Sequence, residues 1–360
     1  MNSGSVSETE ISQAVGQVTD PEIRRSLGEL RMVKSAKFAA DGSAAVEIEL
    51  PTPAYPDRER ITAAVAQALQ NKFPQIGKVS VSYSHVVKGL DTGGAIGLRA
   101  KNVIAVGSGK GGVGKSTVAA CLAYGLQEYG ARVGLMDADV YGPSIPHLLG
   151  ITGKPSIMEE TGPGGETINR IVPMVADGVK CISMGFFIEP DKAVVWRGPL
   201  LHRAITQFLK DTDWGELDYL IIDLPPGTGD VSLTLSQLLG LAGAVVVCSP
   251  QQVALLDAVK AISMYRQVKI PVLGMVENMS GEIFGRGGAR NKAAELGVPF
   301  LGEIPMEAQI RIQGDAGKIS ALFKEDNPAR PYLRAMCEQT AMQIARQLLQ
   351  TPRLPTLEIL

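Results

Sequence analysis

Cysteine is scarce in this chain: four residues in 360, Cys121, Cys181, Cys248 and Cys337, separated by long spacers and with no Cys-x-x-Cys pair. A disulfide framework is excluded at this size, and so is a metal site built from a local cysteine cluster. Cys121 and Cys248 stand in apolar segments, which reads as buried structural thiol. Charge of one sign is lacking too. Lys and Arg number 35 against 37 Asp and Glu, a net charge of −2, so there is no global basic field and nucleic acid is not an expected partner. No apolar run approaches the roughly 20 residues of a membrane span. The opening MNSGSVSETE has no basic start followed by an apolar stretch, so no secretory signal is read and a cytoplasmic protein is expected. What is present is a 45% hydrophobic composition, enough for one large or two ordinary domains.

The pattern changes near residue 90, where the glycine-rich stretch from Gly89 to Ala100 reads as a linker. Residues 1–88 fit a small α+β domain. Val46, Ile48 and Leu50 alternate with Glu47 and Glu49 as in a half-buried strand. Ile61, Val65 and Leu69 share one helix face, and Val79, Val81 and Tyr83 alternate again. Asp20-Pro21-Glu22 marks a turn or a helix start, and His85 stands alone. Residues 101–360 read as a second domain. Short β-branched runs at 102–107, 132–137, 219–223, 244–250 and 272–278 are separated by helical stretches. Apolar strands alternating with helices predict an α/β fold, a doubly wound, mostly parallel sheet covered on both faces. The stretch ARPYLRAMCEQTAMQIARQLLQ reads as a closing helix.

GSGKGGVGKST, residues 107–117, follows the first of these strands directly. Gly109, Gly114, Lys115 and Ser116 satisfy G-x-x-x-x-G-K-[ST] in the strand–loop–helix context that defines a phosphate-binding loop. Glycines let consecutive backbone N–H groups of Gly109, Lys110, Gly111, Gly112, Val113 and Gly114 turn onto phosphates, and a helix N-terminus adds its dipole. Lys115 is positioned to bridge the β- and γ-phosphates, Ser116 to ligate Mg²⁺ and Thr117 to bond the α-phosphate. Lys110 is a second fixed cation, useful against charge developing on the γ-phosphate. Asp223 ends the strand YLIID before a Pro- and Gly-rich turn, the place of a Walker B carboxylate for Mg²⁺. Gly107, Gly109 and Gly112 also spell G-x-G-x-x-G, but the overlapping Gly-Lys-Ser ending and the later DLPPGTGD argue for a nucleoside triphosphate over a dinucleotide.

KGGVGKST resembles the deviant Walker A signature of the MinD/Mrp-type ATPases. The resemblance implies that Lys110 acts across a homodimer on the partner's ATP. In LMDADVYGPSIP it implies that Asp139 orients the attacking water, with Asp137 near the metal or Lys115. In VENMS it implies that Asn278 contacts adenine; an Asx turn is the alternative. DVYGPSIPHLLG, VVWRGP, DLPPGTGD, ENMS, IFGRGGAR and LGEIPM, in that order, resemble the Mrp/ApbC branch, covering residues 100 to about 325. DPE at 20–22 and TPAYP at 52–56 resemble the small iron–sulfur assembly domain fused in front of bacterial members. The family implies Mg²⁺-dependent ATP hydrolysis coupled to carrying [4Fe–4S] clusters to apoprotein clients or other assembly proteins.

The chain departs from that family at two thiol sites. Members carry a Cys-Pro-x-Cys pair after ENMS, one from each subunit holding a bridging cluster; here ENMS runs into GEIFGRGGAR. The cysteine of the assembly domain's Thr-Pro-x-Cys-Pro is Tyr55. No iron–sulfur ligand is identified. The open readings are transfer with remote cysteines such as Cys181 or Cys337, or as a partner of a cysteine-bearing homologue; a cluster-free ATP-driven dimer switch; and MinD- or ParA-like positioning. Positioning is disfavoured because the tail TPRLPTLEIL is no basic amphipathic helix and no dense basic patch exists. Trp196 and Arg197 have no mechanical assignment, and His147 and His202 read as helix-face residues.

Overall fold

The computed structural model describes residues 7–39, 41–89, 96–140, 142–161, 165, 167–187, 198–227 and 229–350. The chain divides into two compact units, Met1–Lys88 with Ala341–Leu360, and Gly89–Thr340.

The smaller unit begins with α1 (Glu8–Gly16), held at its start by a reciprocal capping box between Ser7 and Glu10. It continues through β1 (Val33–Phe38), β2 (Ala44–Leu50), α2 (Arg58–Lys72) and β3 (Val79–His85). The strands form a sheet in the order β1-β2-β3, antiparallel then parallel. In β2, Ala44, Val46, Ile48 and Leu50 point inward, and α2 buries Ile61, Val65 and Leu69 against them. The Asp20 segment is a turn: Asp20 Oδ1 accepts from the backbone N–H of Glu22 and Ile23 at 3.0 and 2.7 Å.

The larger unit contains β4 (Ala100–Gly107), α3 (Lys115–Glu128), β5 (Val133–Asp137), α4 (Ile145–Leu148), β6 (Ile157–Thr161), β7 (Thr167–Ile171), β8 (Met174–Ala176) and β9 (Val179–Ser183). It goes on with α5 (Gly198–Asp211), β10 (Leu217–Asp223), α6 (Gly229–Leu238), β11 (Gly243–Cys248), α7 (Gln252–Gln267), β12 (Val272–Ser280), α8 (Gly288–Leu296), β13 (Phe300–Pro305) and α9 (Ala308–Asp315). Helix α10 (Arg330–Gln350) closes the described chain. Among the described residues the main sheet runs β13-β12-β11-β4-β10-β5-β9-β8, parallel except for β8 on β9. Every residue of β5, β10 and β11 is buried. Strand side chains alternate between faces, so a wholly buried strand requires cover on both; α3 packs on β5 and β10, α7 on β11, and α8 extends the cover over β12 and β13. The strand order turns around at β4, where chain order leads to β5 on one side and β11 lies on the other; open parallel sheets bind ligands beyond such a switch point.

Two features differ from the sequence expectation. Residues beyond Thr340 do not belong wholly to the larger unit. Met342 joins the small unit's core, Arg346 Nη2 pairs with Glu22 at 2.8 Å, and Arg25 Nη1 donates to the Leu349 carbonyl at 2.9 Å. The sequence also gave no signal for β6 to β9, which form a separate hairpin (β6 with β7) and one end of the main sheet. These strands lie outside the β-branched runs, and β6 is exposed along its whole length.

Candidate nucleotide site

The phosphate loop leaves β4 at Gly107 and enters α3 at Lys115. Gly114 occupies the N-cap with φ +79° and offers no side chain to the free N–H groups of the helix start. That leaves the helix N-terminus open to an anion. A Cβ on Gly114 would also stand 2.2 Å from Asn278 Nδ2, and one on Gly109 would lie 2.1 Å from the backbone carbonyl of Asp257, so both positions exclude side chains. Ser108 Oγ donates to the Lys110 carbonyl at 2.8 Å, and Gly227 N–H, from the turn after Asp223, donates to the Ser108 carbonyl at 3.1 Å. The backbone of the loop is thus fixed before any ligand arrives.

Lys115 is only 6% exposed. Its ammonium donates to Asp223 Oδ1 at 2.6 Å and Ser116 Oγ at 3.1 Å, and lies 3.5 Å from Asp139 Oδ2. Asp223 ends β10, and its neighbours in the rows of the sheet are Val106 of β4 and Asp137 of β5. Register therefore brings Asp223 and Asp137 together at the carboxyl ends of adjacent strands. Burial, then the charge of Asp223, pushes the Asp137 carboxyl up to about 8. Burial likewise raises Asp223, opposed by the ammonium of Lys115. Asp137 Oδ1 accepts from Asp139 N–H at 3.1 Å, and Oδ2 from Ser183 Oγ at 2.9 Å and Ile145 N–H at 3.3 Å. Asp137 therefore braces the loop that carries Asp139, whose own Oδ1 accepts from Gly142 N–H at 3.3 Å.

The site fits Mg²⁺. Asp223 Oδ2 is buried with no hydrogen-bond partner among the described residues, next to the Ser116 hydroxyl. Asp137, Asp139 and Asp223 gather around the buried Lys115 ammonium, and the Asp223 carboxylate and Ser116 hydroxyl are the hard oxygen donors that Mg²⁺ takes alongside phosphate oxygens and water.

Most residues singled out in the sequence converge here. Gly111 and Gly112 stand at the exposed rim of the loop, Val113 is buried beneath it, and Ser116 and Thr117 are half-buried in the first turn of α3. Lys110 is half-buried, and its ammonium has no ion-pair partner among the described residues. Asn278 reaches the loop, and its Nδ2 donates to the Val113 carbonyl at 2.9 Å. It braces the phosphate loop, a role its position in VENMS did not disclose. Ser183 was missed; it lies at the end of β9, a strand with no sequence signal. His85 and His147 are exposed, and His202 Nδ1 bonds Thr234 Oγ1 at 3.2 Å. Trp196 and Arg197 lie outside the described residues.

The four cysteines do not form one cluster: they sit on α3, β9, β11 and α10, all free and buried, and Cys337 Sγ donates to the Cys121 carbonyl at 3.8 Å. Burial pushes the thiols of Cys121 and Cys248 up to about 12 and raises those of Cys181 and Cys337 well above the ordinary value. Among the described residues no group of three or more His, Cys, Asp or Glu is placed to hold a metal ion. In the smaller unit Tyr55 is 3% exposed, and its hydroxyl donates to Asp20 Oδ2 at 2.7 Å.

A glycine-cradled helix N-terminus, a buried lysine and an acidic residue at the adjacent strand end define a P-loop NTPase. Residues 99–341 match the ParA-type family described as NUBPL iron-transfer P-loop NTPase, and residues 8–83 match the iron–sulfur cluster assembly protein family. The chain belongs to the NUBPL-type P-loop NTPase family. It is 45% identical to the iron–sulfur cluster carrier protein of Deinococcus radiodurans over 96% of this chain and 98% of that one. Among solved structures, the nucleotide-binding protein of Archaeoglobus fulgidus in complex with ADP is 38% identical, with a TM-score of 0.53 over 64% of this chain and 93% of that one. The cell division ATPase MinD of Pyrococcus furiosus, 21% identical, shares the fold with a TM-score of 0.50 over 66% of this chain and 97% of that one. No described helix is long and apolar enough to cross a membrane.

Proposed function

We propose that this chain is a Mg²⁺-dependent ATPase whose turnover drives a switch between two copies of the chain, in the service of iron–sulfur cluster transfer to apoprotein clients or assembly partners in the cytoplasm. The observation that carries the ATPase reading is the buried Lys115 ammonium between Asp223 and Asp139 at the floor of the glycine loop. Arriving phosphates offer Lys115 stronger acceptors, and its exchange from carboxylate to phosphate ends its 3.5 Å approach to Asp139 Oδ2. Asp139 then accepts a hydrogen bond from the attacking water, which displaces ADP in line. Ser116 and Asp223 would hold Mg²⁺, which when bound supplies neutralising charge to the phosphates. Lys110 stabilises the charge that develops on the γ-phosphate. Its lack of an ion-pair partner among the described residues supports a role toward ATP, on its own copy or the other. Asn278 holds the loop through the Val113 carbonyl, and its proposed second role is a contact with the adenine base.

The transfer role rests on kinship: the Deinococcus radiodurans relative, matched over nearly its whole length, is an iron–sulfur cluster carrier protein. A cluster needs thiolates, and the four thiols here are each buried on a different element with their ionisation suppressed. This favours a second reading of how the chain serves transfer: as the ATP-driven partner of a thiol-bearing protein, with no cluster of its own. Anaerobic reconstitution of the full chain with iron and sulfide tests the two. Stoichiometric iron with thiolate-to-iron absorbance bands would establish a carrier and require ligands from among the four cysteines. No bound iron, with MgATP turnover intact, would establish the cluster-free switch. Loss of turnover in neither Lys115→Ala nor Lys110→Ala would overturn the ATPase mechanism itself.

A further inference from the structure

Ser183 lies one strand beyond the carboxylates that face the nucleotide. In the sheet, Val106, Asp223, Asp137 and Ser183 are successive partners across β4, β10, β5 and β9. The last three of them are 0% exposed. The Gly185 N–H donates to Ser183 Oγ at 2.9 Å. A backbone amide can only donate, so the hydroxyl is an acceptor there and its single proton is left for another partner. That partner is Asp137 Oδ2, at 2.9 Å.

The bond matters because of what Asp137 holds. Its other oxygen, Oδ1, takes the N–H of Asp139 and fixes the peptide from which the Asp139 carboxylate reaches to 3.5 Å from Lys115. Oδ2 also takes the N–H of Ile145, at the far end of the same loop. A buried carboxylate beside a second carboxylate is poorly anchored by charge alone, and directed donors set its plane. The Ser183 segment also lies close against the loop: a Cβ on Gly185 would stand 3.1 Å from Pro143 Cβ, so a side chain there would press Pro143 back by a few tenths of an ångström.

We propose that Ser183 is a positioning residue for ATP hydrolysis, acting through Asp137 on the Asp139 loop. This rests on the assignment of Asp139 to the attacking water. Ser183 touches no substrate. Its hydroxyl orients Asp137, Asp137 orients the Asp139 peptide, and the Asp139 carboxylate meets the water in line only when that peptide is held.

The test is a double-mutant cycle on MgATP turnover by the full chain, with ADP affinity measured alongside as the check on folding and binding. Ser183→Ala is expected to lower kcat by about tenfold to a hundredfold, the scale of a small misplacement of a catalytic group. KM for ATP and ADP affinity should stay within about twofold, because the phosphate loop is untouched. Ser183→Thr, which keeps the hydroxyl, should recover most of the rate. In an Asp139→Asn background, Ser183→Ala should cause no further loss, since the group it positions is already gone. An unchanged kcat in Ser183→Ala, while Asp139→Asn is slow, would overturn this role alone. Equal further losses in both backgrounds would also overturn it and make Ser183 a structural cap of the following turn. Normal turnover in Asp139→Asn would overturn the water-orienting assignment, and this role with it.

Discussion

Lys115 Nζ and Asp223 Oδ1 lie 2.6 Å apart across a sequence separation of 108 residues, the lysine side chain 7% exposed and the aspartate 0%. A buried pair of this kind holds its charges only because each partner is present. On the proposed function the pair is also a latch: nucleotide entry would transfer Lys115 from carboxylate to phosphate, and Asp223 would then be open to Mg²⁺.

Lys115→Ala should therefore abolish ADP and ATP binding, read by calorimetry, and with it turnover. The nucleotide-free protein should stay folded. Burial already favours the protonated form of Asp223, so without Lys115 that carboxyl takes up a proton instead of remaining an uncompensated buried charge. Binding within about threefold of the parent would contradict the phosphate role of Lys115.

Lys110→Ala separates binding from hydrolysis. Lys110 has no ion-pair partner among the described residues, and its removal leaves the bonds from Ser108 to the Lys110 carbonyl and from Asn278 to the Val113 carbonyl in place. ADP affinity should be preserved within a few fold, and kcat should fall by at least about a hundredfold, as for other cations that stabilise a transferring phosphoryl group. Unchanged turnover would remove Lys110 from the mechanism.

Tyr55→Phe tests the smaller unit. The substitution removes the O–H from Asp20 Oδ2 while Asp20 Oδ1 still caps the turn through Glu22 and Ile23. A buried acceptor left without its donor costs about 1–3 kcal/mol. Urea unfolding should show that loss at the transition of the smaller unit, with kcat for ATP unchanged. Unaltered stability would mean that solvent or another donor reaches Asp20.

The phosphate loop was legible because it is local: one strand, one run of glycines and Lys-Ser-Thr lie within residues 102–117. Asp223 and Asp137 were legible as strand-end acids, and the alternation in β2 and the spacing in α2 appear in the structure as read. What the sequence hid depends on strand order. Ser183 meets Asp137 because β9 lies beside β5, and β9 has too little of a β-branched run to announce itself. The bond from Asn278 to Val113 spans 165 positions and needs β12 and the loop side by side. Tyr55 reads in sequence as a lost thiol; only the fold shows the phenol tied to Asp20. The end of α10 reads as an ordinary closing helix, and its share in the smaller unit rests on pairs such as Arg346 with Glu22, 324 positions apart.

The acid cluster makes stability depend on pH in a definite direction. Burial and the neighbouring Asp223 carboxylate raise Asp137 from 3.8 in the unfolded chain to about 8 in the fold. Between those values the folded state binds the proton and the unfolded state does not, so the folded state is favoured by protonation. The contribution is full below the unfolded value and is lost as pH rises through about 8. Nucleotide-free protein should therefore show a falling Tm as pH is raised from 6 to about 8.5, beyond the drift of an Asp137→Asn variant, whose amide cannot titrate. Asp137→Asn should flatten that part of the profile while its carbonyl oxygen still accepts from Ser183. A parent profile that is flat over this range, or that rises with pH and loses the rise in Asp137→Asn, would show that Asp137 is ionised in the fold and that Lys115 outweighs burial.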